Sequence, residues 1–369
     1  MKYAFLIPSF RNGGAERQFI LLVRTLIARG YRASFITYSL STSTYECPDI
    51  PSVYIPKRKK IDIRFFVTLI RYLKNENIDM LITCYQGVFE GPLLWGRLAK
   101  LFIKNLKVVT AFRRSQISLS GKVIEAVTSH MSYILLANNR KMYDTLFNMS
   151  YINESKVKYI RNIADKDTFY KYERAAQLSM REKYHKGNSD KTIFICIGSY
   201  LPVKNYIMLI ETIHYLIVSN DVERMHFSIY GDKECLNSQY MVLEKIVSER
   251  KLESVVSLNG PVDNVTDLIN SCDAIILPSL HEGSPNVAME SIMCEKPVII
   301  SSRSNYEKFV NHGVNGLIFS QSSIIELASC INKVKEGDFD IQQEHVELFH
   351  HKHAKENIAD IFVNEILDG

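Results

Sequence analysis

The chain has 369 residues, 46% of them apolar and 23% charged, with one Trp against 20 Tyr and 18 Phe. That composition excludes a disordered or low-complexity chain, and the length excludes a small binding module and leaves room for two domains, each with its own core. The formal charge of +5 divides into opposites: residues 1–165 carry 25 Lys and Arg against 11 Asp and Glu (+14), and residues 166–369 carry 20 against 29 (−9).

Met1-Lys2 leads directly into the apolar run from Tyr3 to Pro8, too short for the apolar core of a secretion signal, so export by that route is not expected. This first run reads as a strand. Arg11-Asn12-Gly13-Gly14-Ala15-Glu16-Arg17 follows it, where adjacent Gly13 and Gly14 let backbone approach a ligand and the helix N-terminus behind them favours an anion. The loop lacks the third glycine of the dinucleotide fingerprint, and no acidic residue ends a second strand to hold an NAD ribose, which counts against a dehydrogenase. The helix runs from Ala15 to Arg29, with Phe19, Leu22, Val23 and Leu26 on its buried face and Gly30 at the C-cap position.

Strands at Ala33 to Tyr38, Met80 to Thr83 and Val108 to Ala111 alternate with helical stretches and predict a parallel sheet. Basic residues gather among them at Lys57 to Lys60, at Arg64, Arg71 and Lys74, and from Arg97 to Arg114. Such a surface attracts an anionic membrane or an anionic substrate, each cation near anionic lipid adding about 1 kcal/mol. No nucleic-acid motif accompanies these clusters, and nucleic acid is not an expected partner. The longest apolar runs, Phe65 to Ile70 and Ala274 to Pro278, stop well short of the roughly 18 residues of a membrane span.

Residues 166–190 are polar and lack a strand pattern, and they read as the connection between a first domain over 1–165 and a second over 191–344. The alternation restarts with a strand at Thr192 to Ile197, and later strands are expected at His226 to Tyr230, Val255 to Leu258, Asp273 to Leu277 and Pro297 to Ile300. Helices are expected from Asn205 to Val218 and Ser238 to Arg250. The fold class is therefore α/β, two successive doubly wound domains. A final helix is expected over 345–369, and its neighbouring His350, His351 and His353 do not share a helix face well enough to hold a metal. Seven scattered cysteines without a C-x-x-C pair read as reduced thiols of a cytoplasm.

In open α/β sheets ligands bind beyond the carboxyl ends of the strands, so two further segments matter. Gly198-Ser199-Tyr200-Leu201-Pro202-Val203-Lys204-Asn205 places a lysine where it can neutralise a diphosphate. Ser279-Leu280-His281-Glu282-Gly283-Ser284-Pro285-Asn286-Val287-Ala288-Met289-Glu290 brackets a turn with two carboxylates, good acceptors for vicinal hydroxyls, while amides at the helix start suit phosphate. Read locally, Glu282 is equally a helix cap, Glu290 a solvated side chain and Lys204 an exposed lysine in a first helical turn.

Together these segments resemble the family 4 glycosyltransferases, a retaining family with the GT-B fold, over essentially the whole chain. Gly13 and Gly14 match its amino-terminal glycine loop, and Glu282 through Glu290 its most specific motif; Asn162 to Phe169, Tyr230-Gly231-Asp232 and Asn315 to Phe319 match other landmarks. The resemblance implies two Rossmann-like domains facing a central cleft, the first binding acceptor and the second the donor, with the carboxyl-terminal helix crossing back to the first. It implies that Glu282 contacts the transferred sugar, that Glu290 holds the ribose hydroxyls, and that Gly198, Ser199, Lys204 and the turn of Gly283, Ser284, Asn286 and Val287 bind the donor diphosphate.

Two departures stand out. The family's usual arginine after the glycine is Ser199 here, leaving Lys204 as the only cation of the pair, and where the family often has a histidine near the sugar the chain reads Phe112-Arg113-Arg114-Ser115. Arg113, or Arg114 beside it, is expected to face the cleft and supply what is missing. The implied activity is retaining transfer of a sugar from a UDP- or GDP-linked donor to a saccharide or lipid-linked saccharide acceptor, in bacterial surface polysaccharide biosynthesis, with neither metal nor cofactor. The implied setting is cytoplasmic, peripheral at the inner face of the plasma membrane. The rivals are a catalytically silent partner subunit of the same fold and a sugar-nucleotide 2-epimerase.

Overall fold

The computed structural model describes residues 1–10, 14–39, 47–59, 61–85, 93–112, 117–219 and 224–367. The chain divides into two compact units, Met1–Ile163 with His353–Gly369, and Ala164–Lys352.

The first unit runs β1 (Lys2–Ile7), α1 (Gly14–Ala28), β2 (Arg32–Thr37), β3 (Ser52–Tyr54), α2 (Ile63–Asn75), β4 (Met80–Tyr85), α3 (Leu93–Ala99), β5 (Lys107–Phe112), α4 (Leu119–Thr128), β6 (Ile134–Ala137), α5 (Arg140–Phe147) and β7 (Val157–Tyr159). The second runs α6 (Arg174–Tyr184), β8 (Thr192–Ile197), α7 (Tyr206–Val218), β9 (Met225–Tyr230), α8 (Tyr240–Glu249), β10 (Val256–Asn259), α9 (Val265–Asn270), β11 (Ala274–Leu277), α10 (Asn286–Met293), β12 (Val298–Ser301), β13 (Gly316–Phe319), α11 (Ile324–Lys335) and α12 (Gln343–His353). The chain returns to the first unit through α13 (Lys355–Phe362) and a π turn at Val363–Leu367.

Both sheets are parallel and doubly wound, in the order β3-β2-β1-β4-β5-β6-β7 and β10-β9-β8-β11-β12-β13. Strand residues are buried on both faces, which is why they read as continuous apolar runs. In the first unit Phe5, Ile82 and Val109 face α1 and α13, while Ala4, Leu6, Leu81 and Val108 face α2 and α3. α1 ends where Gly30 takes φ +85° and Tyr31 N–H bonds back to the Leu26 carbonyl, a conformation that glycine adopts at little cost.

Three expectations need correction. The stretch 166–190 is part of the second unit and contains α6, whose residues are all at least partly exposed. Its anchorage is polar: Arg181 reaches Asp273 with bonds of 3.0 and 2.7 Å, and Tyr172 Oη donates to Asp267 at 2.8 Å, so no apolar periodicity announces it. The segment 345–369 is not one helix, because Ala354 adopts an extended conformation (φ −56°, ψ 141°) and separates α12 from α13. Arg97, counted with the surface cations, has no exposed side-chain area and pairs with equally buried Glu125 at 2.8 Å.

Candidate functional site

In the second sheet β8 lies between β9 and β11, so strand order reverses at the β8–β11 boundary. Ligand crevices of doubly wound sheets open at that point, beyond the carboxyl ends of the strands. The segments that leave β8 and β11 are Gly198 to Asn205 and Pro278 to Glu290.

The first is shaped by close backbone approach. Gly198 N–H donates to the Tyr230 carbonyl at 2.9 Å, and a Cβ on Gly231 would stand 2.0 Å from the Gly198 carbonyl oxygen, so only glycine fits at 231. Tyr206 Oη donates to that same Gly198 carbonyl (3.0 Å), and Tyr200 Oη bonds the carbonyls of Ile229 (2.9 Å) and Asn259 (2.8 Å). Burial pushes both phenols well above their ordinary range, so they remain protonated donors. A three-residue 3₁₀ turn, Pro202–Lys204, then presents Lys204, and Asn205 enters α7 from the left-handed region at φ +56°.

The second segment is laced to the first. Leu280 N–H donates to the Val203 carbonyl at 2.8 Å, and Asn205 Nδ2 to the Pro278 carbonyl at 3.2 Å. The buried Ser279 carbonyl accepts from both Ser301 Oγ (2.6 Å) and Ser304 Oγ (2.8 Å). With its backbone so held, Glu282 receives Lys204 Nζ at 2.7 Å and Ser279 Oγ at 2.8 Å on the same carboxylate oxygen, Oε1. Glu282 is therefore not a helix cap, and Lys204 is not a free surface lysine: their side chains are 18% and 21% exposed. An ammonium has three donors, and Glu282 takes one of them.

α10 begins behind this turn with Pro285 in the capping position and no side-chain cap bond. Its N-terminal amides and dipole favour an anion. Glu290, one turn further along, is 5% exposed and lies between Met289 and Ile292, both buried. The Cys294 thiol nearby is pushed up, by burial first and then by the neighbouring Glu290. Gly283, Ser284, Asn286 and Val287 fill the turn between the two glutamates, each partly exposed.

The structure thus brings together Gly198, Ser199, Lys204, Glu282 and the 283–290 turn on one edge of one sheet. Gly14 opens α1 in the first unit and is exposed, whereas Gly13, Arg113 and Arg114 lie outside the described residues. Sequence reasoning missed Ser279, Ser301, Ser304 and Tyr206, single hydroxyls whose role depends on register between distant strands. For Tyr206 the nearest signal is Gly198 at the exit of β8, whose carbonyl it bonds.

Residues 180–347 match the family described as Glycosyl transferases group 1, and residues 12–167 match Glycosyltransferase Family 4. The chain is 22% identical, over 74% of its length and 70% of the relative's, to UDP-Gal:alpha-D-GlcNAc-diphosphoundecaprenol alpha-1,3-galactosyltransferase of Escherichia coli. It is 23% identical, over 99% and 96% of the two chains, to GalNAc-alpha-(1->4)-GalNAc-alpha-(1->3)-diNAcBac-PP-undecaprenol alpha-1,4-N-acetyl-D-galactosaminyltransferase of Campylobacter jejuni. Its fold matches the crystal structure of Anabaena HepE in complex with UDP and glucose with a TM-score of 0.84, at 18% identity over 100% of both chains. Those likenesses identify the fold as GT-B.

Proposed function

The chain belongs to the glycosyltransferases of group 1 and family 4, and from that premise we propose that it transfers a sugar, with retention, from a UDP- or GDP-linked donor to a lipid-linked saccharide during surface polysaccharide assembly. The observation that carries the donor half of this reading is the Lys204–Glu282 pair at 2.7 Å, held at the strand-order reversal next to the N-terminus of α10. In this reading the α10 amides and the remaining Lys204 donors take the diphosphate, Glu282 faces the transferred sugar and Glu290 the ribose hydroxyls. The departing diphosphate accepts the proton of the acceptor hydroxyl on the same face of the sugar, so no protein nucleophile is needed. Positive charge fixed where the leaving group becomes more negative is the main catalytic term, and it lets the reaction run without a resident metal.

The acceptor half rests on the two relatives named for undecaprenol-linked saccharides and on the +14 charge of residues 1–165. Among the described residues no helix is long and apolar enough to cross a membrane, so the proposed encounter with a lipid-linked acceptor is peripheral, at the inner face of the plasma membrane. Binding is tested by thermal shift against UDP-, GDP- and ADP-sugars, where a ligand at 100 times its Kd adds about 2.7 kcal/mol. One nucleotide should stabilise the protein and lose its effect in Glu290→Ala; no shift with any donor would favour the silent-subunit reading. Retention is read from the anomeric configuration of the product by NMR, and metal independence from a rate unchanged by chelator.

A further inference from the structure

α4 is close to inside out. Its inward side carries Gly121, partly buried Ile124 and Glu125, the last fully buried against Arg97, while Leu119, Val123 and Val127, spaced four apart on one side of the helix, are 81%, 61% and 64% exposed. An ordinary amphipathic helix does the reverse, as α1 does with Phe19, Val23 and Leu26 inside and Arg24 out. The pattern extends beyond one helix. Of the twelve large apolar side chains exposed among the described residues of the first unit, ten stand on α2 to α5 or the segments beside them, Ile63, Val67 and Phe102 included, and none on α1 or α13. One face of this unit is apolar at its surface; the other is not.

The same face is cationic. α2 turns Arg64, Arg71 and Lys74 to solvent, Lys104 follows α3, and Lys122 sits among the apolar positions of α4. α2, α3 and α4 contain one carboxylate among them, Glu125, and it points inward; Asp62 and Glu76 flank α2, and α5 carries Asp144 with Arg140 and Lys141, so cations remain in excess across the face. Exposed apolar side chains interleaved with an excess of cations suit an anionic bilayer surface, whose lipid tails accept the former and whose headgroups attract the latter. A second copy of this face would set cation against cation.

We infer that the α2–α5 face of the first unit docks on an anionic membrane by inserting the Leu119, Val123 and Val127 stripe, with α2 supplying the electrostatic attraction. α4 begins just past the carboxyl end of β5, the edge where ligands of such sheets bind, so the docked face holds that edge close to the lipid. The inference rests on the proposed function only for the choice of a lipid-linked acceptor as the reason to dock.

The test is co-sedimentation of the full chain with phosphatidylglycerol-containing vesicles and with pure phosphatidylcholine vesicles. Wild type should pellet with the former, less so at high salt. Leu119→Glu with Val123→Glu should lower that partition at least tenfold with an unchanged melting temperature, and Arg64→Glu with Arg71→Glu should remove most of the salt dependence. Val218→Glu, at an equally exposed position of the second unit, should bind as wild type. Unaltered binding by the α4 variant, no binding by wild type, or a wild-type dimer that the α4 variant dissociates would each overturn the inference. Nucleotide binding measured on the same variants separates the two readings: its absence in wild type overturns the proposed function, and its retention in the α4 variant shows that the lost vesicle binding is not a lost fold.

Discussion

The pairs Arg97–Glu125 and Lys204–Glu282 have nearly the same length, 2.8 and 2.7 Å, and opposite settings. Arg97 and Glu125 have no exposed side-chain area, and the guanidinium also donates to Ser132 Oγ and Thr128 Oγ1, both at 2.8 Å, with Thr110 Oγ1 bonded to Ser132 Oγ behind them. Nothing in that network is left to meet a ligand. Lys204 and Glu282 are each about a fifth exposed, and the lysine keeps donors that no carboxylate occupies. Coulomb attraction is shared by both pairs; solvent access and spare hydrogen-bonding capacity decide that the first specifies packing of α3 on α4 and the second is available for chemistry.

Breaking the sealed pair should give the largest effect in the molecule. Glu125→Ala strands a buried guanidinium and should lower the unfolding free energy by about 3–5 kcal/mol, read by denaturant titration. Replacing both partners with apolar residues of similar volume, Arg97→Met with Glu125→Leu, should recover most of that loss, since a well-packed apolar pair avoids the desolvation cost. If the single substitution costs no more than an exposed pair would, about 0–1 kcal/mol, the two pairs do not differ as argued.

The open pair should respond the other way round. Lys204→Ala should raise the transfer barrier by about 3 kcal/mol, on the scale of removing one preorganised donor to a developing negative charge, while the melting temperature barely moves. A Lys204→Ala enzyme with wild-type kcat and KM would remove this lysine from the chemistry. Glu290→Gln sharpens the contrast within the site: the amide keeps the shape but not the charge, and nucleotide affinity should fall by the about 1.5–3 kcal/mol typical of a hydrogen bond to an ionised group, measured by calorimetry with the free nucleoside diphosphate.

The open site was far more legible in the sequence than the sealed one. Lys204, Glu282 and Glu290 follow strands within a dozen residues of a glycine, and local spacing therefore carries them. The Arg97–Glu125 pair joins residues 28 apart that share no motif, and each looks like a surface charge until α3 and α4 are packed. A similar inversion keeps the exposed stripe of α4 unread in the sequence, because apolar residues at helical spacing ordinarily mark a buried face and Leu119, Val123 and Val127 carry no sign to the contrary. Periodicity reports that one side of a helix is apolar; it does not report which side meets the sheet. α6 went unread for the complementary reason, being fixed by Arg181 and Tyr172 through charge and hydrogen bonds with no buried apolar residue of its own.

The smallest expected effect extends the contrast between sealed and open charge to groups that are sealed without charge. His185 and His226 are each 3% exposed, and each bonds one serine through Nε2, Ser271 at 3.0 Å and Ser257 at 2.9 Å. Burial pushes both imidazoles down to about 4; around His185 the neighbouring His226 and Arg181 add to this and Asp273 opposes it, and around His226 Lys191 adds to it. With folded-state values below the ordinary 6.5, the unfolded chain binds the proton first, so stability is complete above pH 6.5 and is lost as pH falls from there towards 4. Linkage puts the loss at roughly 1 kcal/mol for each histidine by about pH 6. Melting curves between pH 8 and pH 6 in wild type and in a His185→Gln, His226→Gln variant should separate it from the carboxylates, whose titration lies lower: the double variant should be flatter over that interval. If it is as steep as wild type, the two imidazoles take up protons without unfolding and are less tightly enclosed than the neutral pair described here.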